Sequence, residues 1–125
     1  MRMIEYDRGD PKRIQHFIKV YQFAALIGKM EHVDTKTQEI IEISALVHDI
    51  GIKVSEEKYH SNAGKYQELE GPPIAETLLK SLGYPEPFIG RVCWLVGHHH
   101  TYDDIQDIDH QILVEADFLV NAYED

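Results

Sequence analysis

The chain has 125 residues and a mass of 14.5 kDa, room for one domain with a real core and too little for two. Twelve Lys plus Arg against twenty-two Asp plus Glu give a net charge of −10 and a pI near 5.1, which excludes a nucleic-acid scaffold and a membrane-surface role. The hydrophobic fraction of 43% and charged fraction of 27% exclude a disordered chain, and no run of about 18 apolar residues is present to span a bilayer.

In chain order, the opening MRMIEYDRGD lacks the apolar stretch of a signal peptide, and Cys93 is the single cysteine, so no internal disulfide can form. A cytoplasmic protein is the expectation. From Pro11 to about Met30, Ile14, Phe17, Ile18, Tyr21, Ala24, Ala25 and Ile27 recur at helical spacing, with Asp10 as cap and Pro11 in the first turn. A second helix is predicted from about Thr35 to Asp49, capped by Asp34 or Thr35 and closed by Gly51. Its last turns are apolar nearly all round, which predicts the central, buried helix.

Between Gly51 and Gly71 the chain turns polar, and the expectation is a partly helical connection that covers or flanks a site, with Tyr59, His60, Tyr66 and Gln67 available to form a lid. A helix is predicted from about Pro73 to Ser81, closed by Gly83, and another from Pro85 or Glu86 to the histidine run. Residues 101–107 read as a polar loop, after which Asp109 caps a last helix. No strand alternation, repeat or linker is found, so the predicted architecture is an all-α bundle of five or six helices in one domain.

Histidine is the unusual entry in the composition, at eight residues. His48 and Asp49 stand at the end of the apolar second helix, in ALVHDIG. Adjacent helical positions point about 100° apart, so both reach one centre only if it lies just beyond the helix end. A helix C-cap is one reading of the pair, and a divalent metal site is the other, for ions such as Mn, Fe, Co, Ni, Zn or Mg. His16 lies beside the apolar face of the first helix and is either a boundary histidine of the core or a partner in that site. Asp117, in VEADFLV, sits between Leu113 and Val120 at helical spacing. A buried carboxylate there costs several kcal/mol unless paired or metal-bound, the alternative being a surface turn. His98, His99 and His100 end the fifth helix, where i+4 spacing places His98 under Trp94 and His99 under Leu95. At least one should follow the buried face inward, unless all three form a solvated cluster favoured by the helix dipole. Cys93, beside Trp94 in an apolar run, reads as packing and not as a nucleophile.

His16 in RIQHFIKVYQFA, His48–Asp49 in ALVHDIGI and Asp117 in EADFLV together resemble the HD-domain metal-dependent phosphohydrolase superfamily, over about residues 10–122. The resemblance implies an all-α fold in which those four side chains bind a divalent metal. Members with a binuclear centre carry further histidines. His98 and His99 resemble their later His pair, while the earlier position looks occupied by Glu70, either an oxygen ligand to a second metal or a charge favoured by a helix dipole. One metal or two is left open. Gly83–Tyr84–Pro85 has the letters of the HD-GYP cyclic-dinucleotide phosphodiesterases but precedes the histidines instead of following them, and is read as coincidence.

By this resemblance the expected activity is hydrolysis of a small phosphate ester, a nucleotide by analogy with the superfamily, by metal-activated water. Asp49 would orient the nucleophile and bridge if two metals bind, and His98 or His99 would ligate a second metal or contact phosphate. Lys53 resembles a basic residue that members place after the His-Asp turn and would touch phosphate, if it is not simply an exposed loop lysine. Two other functions compete: a module that senses a nucleotide or metal without turnover, and an oxygenase with two irons.

Overall fold

The computed structural model describes residues 2–124, and among them it contains seven helices and no strand. These are α1 (Arg2–Tyr6), α2 (Pro11–Met30), α3 (Thr35–Val47), α4 (Ile52–Tyr59), α5 (Gly64–Ser81), α6 (Glu86–Val96) and α7 (Ile108–Glu124). The all-α bundle is as expected, with the short α1 added at its start. α3 sits at the centre, packed against α2, α6 and α7, while α4 and α5 lie together on the α6 side.

Local chemistry accounts for the boundaries. Asp10 accepts a hydrogen bond from the Arg13 amide at 3.1 Å, and Asp34 accepts one from Thr37 at 2.7 Å, so two helix starts have their orphan amides satisfied by carboxylates. Phe17, Val20 and Ala24 on α2, Ile41 and Ala45 on α3, and Leu113, Ala116 and Val120 on α7 are all fully buried, one stripe from each helix meeting in the core. Cys93 donates to the Pro72 carbonyl at 3.5 Å, and burial pushes its thiol up, as befits a packing residue.

Two elements differ from the sequence reading. The polar segment after Gly51 is helical for most of its length, and α4 ends at His60 in the left-handed conformation, φ 55°, where no glycine marks the stop. α5 starts at Gly64 and runs straight through Pro72 and Pro73, which the sequence reading placed at or before a helix start. Each proline removes one helical hydrogen bond, yet packing outweighs the loss. Gly71 lies so close to α6 that a Cβ there would sit 2.8 Å from Val96 Cγ1, and a Cβ on Gly51 would sit 2.8 Å from both the Gln67 carbonyl oxygen and the Gly71 nitrogen. Bare backbone at both positions lets α5 cross directly over the turn that follows His48 and Asp49.

Candidate metal centre

Four helices deliver one residue set to one point. His16 projects from α2 on the face shared with Val20 and Ala24, His48 caps the end of α3, Asp49 follows in the turn, and Asp117 comes from the middle of α7. His16 Nε2 lies 3.1 Å from Asp49 Oδ2 and 3.1 Å from Asp117 Oδ1, and His48 Nε2 lies 3.2 and 3.3 Å from the same two oxygens. His99, just beyond α6, brings its Nε2 to 3.4 Å from Asp49 Oδ1. His48 and His99 are wholly buried.

The outer nitrogens explain why the inner ones converge. His48 Nδ1 donates to the Ala45 carbonyl at 2.6 Å and His99 Nδ1 to the Val96 carbonyl at 2.7 Å, each using an unpaired carbonyl of the helix end it follows. His16 Nδ1 donates to Glu124 Oε1 at 2.8 Å, across 108 residues of sequence. With the Nδ1 protons so engaged, each Nε2 presents a lone pair inward. Lone pairs facing carboxylates repel unless a cation lies among them, and His48 Nε2 and His99 Nε2 are buried without a hydrogen-bond partner. Burial disfavours protonated His16, yet its hydrogen bonds to Asp117 and Asp49 outweigh burial and raise its pKa to about 9. His48 is raised in the same way against its burial, chiefly by the charges of Asp49 and Asp117. Burial works against the ionised carboxylates too, but the histidines, His48 foremost, hold both below the usual range. The cluster therefore attracts positive charge, supplied by protons or by a metal ion. His16, His48 and Asp49 offer ligand atoms within 4.8 Å of one another, as do Asp49, His99 and His100, with Asp49 common to both sets. Imidazole and carboxylate donors without thiolate suit a borderline or hard divalent ion.

The cluster forms the floor of a cavity of about 600 Å³, whose wall includes Lys12, Arg13 and Lys19 from α2 and Gln67 from α5. Arg13 Nη1 lies 3.8 Å from Asp49 Oδ2. Three cations on one helix thus stand at this mouth beside the carboxylates of Asp49, Asp117 and Glu124, with Lys19 3.7 Å from Glu124.

A family model for the HD domain matches residues 13–122. The chain belongs to the HD-domain superfamily. HD domains bind divalent metals, and the cluster has the residues to do so. No curated protein and no solved structure matches the chain significantly.

Within this HD domain, His16, His48, Asp49, Asp117 and His99 are brought together, and three other sequence candidates are not. His98 turns away: its Nδ1 donates to the Trp94 carbonyl at 2.7 Å and its ring stacks on Trp94 at 4.0 Å. The inward pair is His99 and His100, one residue later than expected, because His98 lies on Trp94, which is itself exposed, while His99 follows the buried Leu95 inward. Glu70 accepts from the Tyr59 hydroxyl at 2.6 Å and from Lys58 at 3.3 Å on the α4–α5 contact, outside the cluster. With α5 starting at Gly64, the residue turned to the site is the buried Gln67, whose Oε1 accepts from His100 Nε2 at 2.8 Å. Lys53 donates to the Tyr6 carbonyl at 3.4 Å and lies over the Tyr6 ring, lining a neighbouring cleft with Asp7 and Glu56. Glu124 and Glu68 were not singled out from sequence, and no local pattern marks either. Glu68 takes the His100 amide at 3.0 Å and the Thr101 hydroxyl at 2.8 Å, pinning the histidine loop to α5.

Proposed function

We propose that this HD domain is a metal-dependent phosphohydrolase acting on a small phosphate ester, with nucleotides as the first class to try. The observation that carries the reading is the meeting of His16, His48, Asp49 and Asp117, with their Nδ1 donors already satisfied, at the floor of a cavity walled by Lys12, Arg13 and Lys19. His16, His48, Asp49 and Asp117 would hold a divalent ion, and Asp49, His99 and His100 offer a second position. Such an ion, when bound, acidifies water and neutralises charge on a phosphoryl group.

The chain's own residues supply the rest. Asp49, shared by both ligand sets, is placed to accept a hydrogen bond from the attacking water and orient it. Arg13 carries a fork of donors matched to phosphoryl oxygens, and Lys12 and Lys19 add point charges at the mouth. His100 is kept neutral by burial, which lowers its pKa, and Gln67 Oε1 holds its Nε2 proton, so its Nδ1 is the free acceptor. This acceptor faces the Tyr102 hydroxyl at 3.4 Å.

The test is turnover of a panel of phosphate monoesters and diesters, nucleotides included, with Mn, Co, Zn and Mg in turn. Hydrolysis that falls by about 10³-fold in Asp49→Ala, with the variant folded, is the expected result. Folded wild-type protein that binds a nucleotide tightly and turns over none of the panel overturns the hydrolase reading in favour of a sensor.

A further inference from the structure

A second cleft opens beside the metal cavity, behind the end of α1. Tyr6 donates its hydroxyl to the Ile50 carbonyl at 3.1 Å, which ties the end of α1 to the turn carrying Asp49. The Asp10 amide donates to the Asp7 carbonyl at 2.9 Å, closing the chain into a turn that leads to α2. Between this turn and α4 lies a cleft of about 150 Å³, and Arg13 and Ile52 wall both it and the metal cavity. Arg13 stands at the junction, with its Nη1 3.8 Å from Asp49 Oδ2.

Asp7 is the anomaly of this cleft. It is only 9% exposed, yet no side chain or amide among the described residues hydrogen-bonds to its carboxylate. Burial pushes that carboxyl up to about 6, against the pull of Arg13 and Lys53, with Asp10 and Asp49 adding their repulsion. Arg13, Asp10 and Lys53 are all walls of the cleft, so the carboxylate sits among them, close enough to the metal cavity to be acted on by Asp49. A buried acceptor without a donor is costly, and a ligand that brings one relieves the cost.

The charges of the cleft select the donor. Arg8, Arg13 and Lys53 line it together with Asp7, Asp10 and Glu56, so the two signs balance. A second phosphoryl group would meet the carboxylates, an ammonium would meet the cations, and an apolar group would leave Asp7 unpaired. A hydroxyl carries no charge, donates to Asp7 and accepts from Lys53, whose ammonium gives one proton to the Tyr6 carbonyl and keeps the others free. The cleft is well below the roughly 300 Å³ of pockets that enclose a whole drug-sized ligand, so it takes one end of a molecule whose other end lies elsewhere.

We infer that Asp7 and Lys53 form a hydroxyl-reading subsite, so that the ester is a sugar or polyol phosphate whose hydroxylated carbon chain runs from the metal cavity past Arg13 into this cleft. This rests on the phosphohydrolase reading and adds a substrate class to it. Arg13, shared by both spaces, holds the phosphoryl end while Asp7 reads the chain.

The test is a calorimetric titration of non-hydrolysable probes into the full chain loaded with Mg: dihydroxypropylphosphonate, propylphosphonate and aminopropylphosphonate. The diol binds about tenfold tighter than the propyl probe. Asp7→Ala removes most of that difference and leaves propylphosphonate affinity as in the wild type, while Asp7→Asn, which keeps an acceptor oxygen, retains part of it. Equal affinity for the diol and the propyl probe in the wild type, or an undiminished difference in folded Asp7→Ala, overturns the hydroxyl subsite and leaves the phosphohydrolase reading standing. Tightest binding of the amino probe assigns the cleft to an ammonium and overturns the subsite equally. Binding of none of the probes overturns the phosphoryl site itself and the subsite with it.

Discussion

Glu124→Ala removes the side chain that orients the His16 ring. His48 and His99 are oriented by the backbone carbonyls of Ala45 and Val96, but His16 depends on Glu124 Oε1 at 2.8 Å. Without that acceptor the Nδ1 proton loses its fixed partner and the ring is free to change tautomer or rotate. Loss of such an outer partner costs metal affinity by roughly 10- to 100-fold. The Glu124 side chain is 31% exposed and also bridges to Lys19 at 3.7 Å, so water replaces part of the lost bond and the effect falls at the lower end, about tenfold or ~1.4 kcal/mol. Glu124→Gln keeps an acceptor oxygen and loses only the charge, so its cost is about threefold. Chelator competition at pH 7.5 with Zn as the probe reads both values, with circular dichroism to show that the variants are folded. Wild-type affinity in folded Glu124→Ala refutes the argument that His16 needs this partner.

Three further outcomes follow from other parts of the structure. Gly51→Ala places a methyl against the Gln67 carbonyl and the Gly71 amide, backbone atoms that cannot swing aside, and lowers stability by about 1–3 kcal/mol; a urea midpoint equal to wild type contradicts the close crossing of α5. His98→Ala leaves metal affinity as in the wild type, whereas His100→Ala weakens binding of a second equivalent, and calorimetry that shows the reverse restores His98 to the site. In metal-free protein the pKa of His16 is raised from 6.5 to about 9, so its protonated form stabilises the fold fully below pH 6.5 and that contribution is lost as pH rises through about 9. The melting temperature of the metal-free chain therefore falls across that window. Added metal, which displaces those protons, offsets the fall, and a flat profile without metal counts against the proton-bridged cluster.

The sequence made the fold class and the central four residues legible for a physical reason. His16, His48 and Asp117 interrupt apolar helical faces, where a polar side chain stands out and demands a partner, and all three meet where those faces converge. The errors fall where spacing alone does not say which face meets solvent. Helical spacing rightly placed His98 under Trp94 and His99 under Leu95, but not that Trp94 faces outward and carries His98 away from the site. Prolines 72 and 73 read as a boundary because their local cost is visible in sequence, while the Gly51 and Gly71 contact that compensates it joins residues far apart in the chain. That misplaced start of α5 put Glu70 in the site in place of Gln67. Glu124 was invisible because a surface glutamate near a chain end carries no signal until α2 and α7 are packed together.

The most direct test of the metal centre is anomalous diffraction from crystals grown with a divalent transition metal, recorded at that metal's absorption edge. A peak bounded by His16 Nε2, His48 Nε2, Asp49 and Asp117 is the predicted result, with His99 and His100 on the side of any second peak. The same residues closed on one another through hydrogen bonds, with no anomalous density among them at saturating metal, would contradict the account.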